Sequence, residues 1–305
     1  MEPDLRSRFR GALLGLAVGD ALGATVEFMG REEIRARFGV HRELVGGGWL
    51  RLAPGEYTDD TQMALAIARS IVALGRIDPD DIARHFVAWY ETAPKDIGKL
   101  TRRALGHLAA GAPWQDAGER ARAESAGRSA SNGSLMRTAS VALATWRDPE
   151  ALVRGSLDVS RITHADPLCA WSCVAFDQAL AATLAGTVDV LAAAADVPQV
   201  EVHARIAAIP QLGEAQLRSG GYVLDTLQSA LWCTARHDDY EQAVVAAVNL
   251  GDDADTTGAV AGALAGARCG EQGIPARWLA VLQNRAEITA LADGLWQLFG
   301  EPGNG

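Results

Sequence analysis

The sequence has no CxxC pair among its four cysteines, Cys169, Cys173, Cys233 and Cys269, and no Cys/His spacing of the kind that holds zinc. Cys169 and Cys173 lie four apart on a predicted helix and read as buried free thiols. Reduced cysteines fit a cytosolic protein. Long apolar runs are missing too, since nothing approaches the ~18–20 residues that a membrane span needs. After Arg6, Arg8 and Arg10 the apolar "GALLGLAVG" is cut short by Asp20, and Glu2 and Asp4 spoil the basic region of a signal peptide. The expectation is a soluble, cytoplasmic chain. Positive charge is also in deficit. A net charge of -10 argues against a nonspecific binder of nucleic acid or anionic membranes, because phosphates would be repelled. Period-2 alternation is scarce, and only "RELVGGGWLRL" (42–52) is weakly hairpin-like. No low-complexity linker divides the chain.

What is present is helical. The chain has 305 residues and 49% hydrophobic content, enough to bury a large core. Apolar residues recur at three and four in 80–91, 149–162, 167–185, 221–235, 240–250 and 276–299. Residues 116–131, "DAGERARAESAGRSAS", form the most polar, loop-like segment. One compact all-α domain is expected over 1–305.

Glycine recurs every fourth residue at Gly11, Gly15, Gly19 and Gly23, and again at Gly258, Gly262, Gly266 and Gly270. Glycine inside a helix costs about 1 kcal/mol against alanine. A stripe of four implies that another backbone comes close. If the two striped helices pack on each other, Asp20, Glu27 and the acids of 252–257 meet in one region.

Those acids pose a question. "YTDDTQMALAIA" (57–68) and "NLGDDADTTGAVAGALAG" (249–266) each crowd carboxylates at the mouth of an apolar helix. Capping accounts for one acid per helix: Asp59 with Gln62 resembles a capping box, and Asp255 or Thr256 could cap the second. It does not account for Asp60 beside Asp59, or for Asp252, Asp253 and Asp255 together. Adjacent carboxylates repel unless something positive sits between them. A helix N-terminus supplies only about half a charge, and a divalent cation far more. Oxygen donors suit Mg, Mn or Ca. A calcium EF-hand is excluded, because counting from Asp253 puts Leu264 where the loop needs a glutamate. Two half-clusters, each offering two acids and a threonine hydroxyl, fit a site of two ions roughly 3.5–4 Å apart.

The stretches "GALLGLAVGDALGATVEF" (11–28), "YTDDTQMALAIA", "SNGSLMR" (131–137), "RITHADP" (161–167), "GYVLDTLQSALW" (221–232) and "GDDADTTGAVAGALAGA" (251–267) resemble the ADP-ribosylglycohydrolases in order and spacing over about 8–290. "GDALGATVEF", 41–61 and "PKDIGKLTRRAL" (94–105) are similar to the bacterial, dinitrogenase-reductase-activating branch. The resemblance implies a compact multi-helix orthogonal bundle and a dinuclear centre of Mg or Mn. It implies hydrolysis of the N-glycosidic bond between ADP-ribose and a protein arginine. The implied metal ligands are Thr58, Asp59, Asp60, Asp253, Asp255 and Thr256; many relatives have glycine where Asp252 stands. Glu27 and Asp60 are the implied carboxylates for water or proton handling. Asp96 is placed to face the departing guanidinium.

Around these, Asn132, Gly133 and Ser134 suit contact with diphosphate or ribose, against the alternative of an ordinary polar turn. His164 resembles the family histidine near the nucleotide, or is a structural hydrogen-bonder. Tyr222 is a candidate to stack on adenine, or a core residue. The run Gly46–Gly48 before Trp49 reads as a tight loop in which Gly47 and Gly48 let a backbone approach a ligand, or as a plain turn. Asp20 either supports a ligand or packs helices. The expected partners are ADP-ribose and an ADP-ribosylated protein; a monomer is favoured, and the sequence leaves the oligomeric state open. Competing readings are a hydrolase of another ADP-ribose conjugate (serine-linked, O-acetyl-ADP-ribose, a small molecule or nucleic acid), a non-catalytic ADP-ribose binder, and an unrelated helical phosphohydrolase.

Overall fold

In the computed structural model, residues 3–187 and 189–300 are described; Met1, Glu2, Val188 and 301–305 lie outside. Two glycine-striped helices make the centre. Leu5–Gly23 is buried at every position from Gly11 onward, and Ala254–Cys269 at every position through Ala267. A helix apolar all round belongs in the middle of a core. The two run antiparallel with backbones in contact. A methyl group on Gly11 would meet the Gly266 carbonyl oxygen at 2.1 Å, on Gly15 that of Gly262 at 2.3 Å, and on Gly19 that of Gly258 at 2.0 Å. The register departs from expectation at one end. Gly270 lies just past its helix in a left-handed conformation (φ 71°), and Ala254 takes the fourth place, opposite Gly23.

This crossing puts the end of the first helix beside the start of the second. The segment after the first helix is tied there by backbone bonds: Phe28 N–H donates to the Asp252 carbonyl at 2.6 Å, and Asp252 N–H to the Met29 carbonyl at 2.8 Å.

A third helix, Asp59–Leu74, enters the same region. Thr58 is its N-cap and Gly75, left-handed at φ 68°, closes it. Asp20, from the last turn of the first helix, is buried against this entry. Its carboxylate accepts from Thr58 N–H (3.0 Å), Thr61 N–H (3.0 Å) and the Thr61 hydroxyl (2.5 Å). Three donors satisfy a buried acid that would otherwise be costly. Asp20 therefore holds two helices together and fixes where Asp59 and Asp60 point.

Expected helices appear as Pro79–Glu91, Pro149–Arg161, Pro167–Leu184, Val223–Arg236 and Tyr240–Val248. Three expectations change. The run 276–299 is broken into Ala276–Val281 and Arg285–Phe299, with Asn284 left-handed at φ 52°. The break is tertiary: Gln283 N–H donates to the Gly55 carbonyl at 3.0 Å. Gly55 in turn sits where a methyl group would strike the Val281 carbonyl at 2.0 Å. Within the polar stretch 116–131, residues up to Ala123 belong to a helix, Trp114–Ala123. Its Ala117 and Ala121 are buried, and Asp116–Arg120 and Glu119–Arg122 pair along its outer side. The hairpin-like stretch is a loop closed by paired bonds between Gly47 and Leu52, both 2.8 Å. No strand forms among the described residues, and no helix there is long and apolar enough to cross a membrane. Cys169, Cys173 and Cys233 are free and buried.

Candidate active site

The helix starts at Asp59 and Ala254 and the exit of the first helix open onto one cavity of about 680 Å³. Glu27, Asp59, Asp60, Asp96, Asp253, Asp255 and Thr256 make up most of its acidic lining, and Lys99, Thr101, Arg103, Glu124, Arg128, Ser131, Asn132, Gly133 and His164 line it too.

Helix capping does not account for these carboxylates, although Asp255 Oδ1 accepts from the Thr256 N–H at 2.9 Å. Thr58, not Asp59, caps the helix at 59, accepting from Asp60 N–H at 3.4 Å. Asp253 occupies the N-cap position of its helix without its side chain capping. Asp255 is buried within the first turn. Asp60 Oδ2 is buried with no hydrogen-bond partner. Glu27, Asp96 and Asp255 each bring a carboxylate oxygen within 4.8 Å of the other two.

Electrostatics follow from this crowding. Burial, then repulsion from Glu27 and Asp60, pushes Asp255 well above the usual carboxylate range. Burial, then Asp20 and Asp59, does the same to Asp60. Asp59 is raised to about 8 by burial and by Asp96 and Asp20. Burial raises Asp96, against the pull of the Ile97 amide. Glu27 is pushed up to about 8 by burial, although Trp49 Nε1–H donates to its Oε2 at 2.6 Å and opposes the shift.

The polar lining is organised around His164. Its Nδ1 lies 2.7 Å from the Thr163 hydroxyl and its Nε2 3.0 Å from the Ser131 hydroxyl. Gly133 makes room for the ring, since a methyl group there would come within 2.8 Å of His164 Cε1. Asn132 links this lining to the acids: its Nδ2 donates to Thr226 Oγ1 at 2.9 Å and to Asp253 Oδ2 at 3.1 Å.

The family model for ADP-ribosylglycohydrolase matches residues 1–305. The chain belongs to the ADP-ribosylglycohydrolase family. It is 39% identical to the ADP-ribosyl-[dinitrogen reductase] glycohydrolase of Rhodospirillum rubrum, over 98% of each chain. It is 34% identical to the ADP-ribosylarginine hydrolase Tri1 of Serratia proteamaculans, covering 98% of this chain and 82% of the relative. A solved structure titled an ADP-ribosylglycohydrolase-related protein complex superposes with a TM-score of 0.82 at 38% identity, covering 96% of this chain and 98% of the other. The chain is thus an enzyme, a hydrolase of ADP-ribosyl bonds.

The glycohydrolase's acidic lining can hold a divalent cation. Carboxylate oxygens and a threonine hydroxyl are the donor set that hard cations take. The bare Asp60 Oδ2 and the close trio of Glu27, Asp96 and Asp255 are groups that a cation would satisfy. That trio differs from the ligand set expected from sequence, which assigned Glu27 and Asp96 to proton and guanidinium handling.

Other expected residues divide. Asn132, Gly133 and His164 line the cavity. Ser134, Tyr222, Gly47, Gly48 and Thr58 are not among its lining residues. Ser134 is buried, accepting from the Ser160 hydroxyl at 2.9 Å and the Cys173 thiol at 3.4 Å. Half-buried Tyr222 pairs its backbone with Ser131. Gly48 is left-handed (φ 66°) and packs where a methyl group would strike the Ala24 carbonyl at 2.3 Å. Gly47 closes the loop with Leu52. That loop delivers Trp49 to Glu27, with the Trp49 ring 5.4 Å from Phe28. Asp252 is exposed and left-handed at φ 54°, a conformation aspartate tolerates; its backbone, not its carboxylate, is engaged.

Sequence reasoning passed over Trp49 as Glu27's partner, Ser131, the basic wall of Lys99, Arg103 and Arg128, and Arg137. Ser131 beside Asn132 and Trp49 beside Gly48 both adjoined residues already singled out, and Arg137 closes the same "SNGSLMR" stretch.

Proposed function

We propose that this glycohydrolase cleaves the N-glycosidic bond between ADP-ribose and an arginine side chain of a protein, reversing mono-ADP-ribosylation. The observation that carries the reading is one cavity lined both by crowded carboxylates and by Lys99, Arg103 and Arg128 with hydroxyl and amide donors. Such a cavity suits a ligand with sugar hydroxyls and a cationic leaving group at one end and phosphates at the other. About 680 Å³ is within the ordinary range for small-molecule sites.

Asp59, Asp60, Asp253, Asp255 and Thr256 would hold Mg or Mn, with Thr58 fixing the start of the Asp59–Leu74 helix. Bound there, the cations would supply Lewis acidity and orient the ribose hydroxyls. Asp96 faces the guanidinium and pairs with it. Trp49 occupies Glu27 Oε2, which leaves Oε1 to take a proton from water. The C–O bond forms at the anomeric carbon as the C–N bond breaks. The proton taken from water passes to the leaving guanidine nitrogen, and the products are ADP-ribose and unmodified arginine. Asn132 and His164 border the nucleotide end.

The test is a panel of defined conjugates incubated with enzyme and Mg or Mn. Arginine-linked ADP-ribose should be released much faster than serine-linked. Equal rates on the two would end the arginine assignment. Asp59→Ala or Asp255→Ala should abolish release, and full turnover by either would end the metal-centre account.

A further inference from the structure

Beneath the cavity lies a buried cation that no carboxylate hydrogen-bonds among the described residues, although Asp59 acts on it through space. Arg137 is fully buried, its guanidinium 4.4 Å from the Phe86 ring centre. Its Nη1 donates to Met63 Sδ at 3.4 Å and its Nη2 to the Thr163 hydroxyl oxygen at 2.7 Å. Among the described residues no carboxylate is bonded to it, and its Nε has no hydrogen-bond partner. A buried, unpaired charge is expensive, so its placement calls for a reason.

The chain of contacts supplies one. Thr163 is fully buried, and its oxygen touches two groups, Arg137 Nη2 and His164 Nδ1. Arginine is always a donor. The Thr163 oxygen therefore accepts from Arg137, and its own hydrogen needs an acceptor. Among the described residues the partner left for it is His164 Nδ1. If Nδ1 carried the proton, Arg137 and His164 would both donate to one oxygen, and a buried hydroxyl hydrogen would be stranded at a cost. The lone pair on Nδ1 also faces the cationic side. Burial and the Arg137 charge hold His164 well below the ordinary histidine range, so the ring is neutral. Its single proton is then on Nε2, donated to Ser131 Oγ 3.0 Å away. Ser131 lines the cavity, and its hydroxyl hydrogen has no acceptor among the described residues.

We propose that Arg137, acting through Thr163, fixes His164 as the Nε2–H tautomer and so turns the Ser131 hydroxyl into a donor directed at an acceptor oxygen of the bound ADP-ribosyl group. Arg137, Thr163 and His164 are positioning residues in this scheme, and Ser131 is the ligand contact. The ligand half rests on the proposed function above; the tautomer half does not.

The experiment has two independent readouts on the full chain. Long-range proton–nitrogen correlation of 15N-histidine-labelled, ligand-free protein should show the His164 ring with Nε2 protonated and Nδ1 bare. A proton on Nδ1, or on both nitrogens, overturns the relay. The His164 signals are assigned by their loss in His164→Asn. Calorimetry with ADP-ribose should then show Ser131→Ala binding about tenfold more weakly, the loss of one hydrogen bond to a charged or polar acceptor. Thr163→Val should bind comparably weakly and Thr163→Ser should restore affinity. Thermal melting establishes that each variant is folded. Unaltered affinity in a folded Thr163→Val or Ser131→Ala overturns the directed contact. Failure of the unsubstituted chain to bind ADP-ribose would count against the functional reading instead, with the relay still judged by the ring nitrogens.

Discussion

In the proposed reaction Trp49 acts through Glu27. Among the described residues its indole N–H is the one side-chain donor to Glu27, and Phe28 packs beside the ring. Trp49→Phe keeps an aromatic ring and deletes the donor. We expect kcat to fall about tenfold with KM little changed, since a hydrogen bond to a charged group is worth about 1.5–3 kcal/mol. A fall in kcat/KM carried wholly by KM would assign Trp49 to substrate binding. A second residue-scale prediction concerns Asp177, buried and without an ion-pair partner among the described residues. Its Oδ2 accepts from the Thr138 and Ser156 hydroxyls, its Oδ1 has no partner, and burial pushes it well above the usual range. The sign is the reverse of the common case. The folded state binds a proton that the unfolded state has already released, so stability falls as pH rises above about 4. Asp177→Asn removes this contribution. Melting temperature should drop less between pH 5 and pH 8 in the variant than in the parent; parallel curves would show that Asp177 is ionised in the fold.

At the scale of elements, the glycine stripes decide the architecture. Gly19→Ala would place a methyl group 2.0 Å from the Gly258 carbonyl, backbone that cannot move aside without separating the two central helices. We expect no folded protein, or a melting temperature lowered by more than ten degrees. Gly106→Ala is the control. Gly106 sits in the helix Lys99–Ala109 with open space where the methyl group would go. That change should stabilise by up to about 1 kcal/mol. Equal effects from the two, read by circular-dichroism melts, would refute the close crossing.

These elements also show what was legible. The stripe spacing told of a backbone crossing, because only a close approach justifies glycine in four successive turns. The acid surplus over capping told of a charged site, because carboxylates are counted directly in the chain. The break at 282–284 was hidden, since its cause is Gly55, more than two hundred residues away. The helix Trp114–Ala123 was hidden because its buried face is two alanines and a glycine. Ser134 and Ser131 look alike in sequence; only the fold turns one to the core and the other to the cavity.

For the whole molecule, the crowded carboxylates make cation binding and proton release one process. Burial and mutual repulsion raise Asp59, Asp60, Asp255 and Glu27, so the cation-free fold carries protons at neutral pH that a bound cation would displace. In chelator, stability should fall as pH rises toward about 8, because the fold holds protons the unfolded chain lacks. Saturating Mn or Mg should raise the melting temperature, and more so at pH 8 than at pH 6. A shift independent of pH would mean that the cation binds elsewhere.

The most direct measurement is the release of ADP-ribose from an arginine-modified protein by the full chain in Mn or Mg, compared with Asp59→Asn and Asp255→Asn. The account predicts release by the parent, none in excess chelator, and a loss of at least a thousandfold in each variant. Release that survives both substitutions, or that persists without divalent cation, would contradict it.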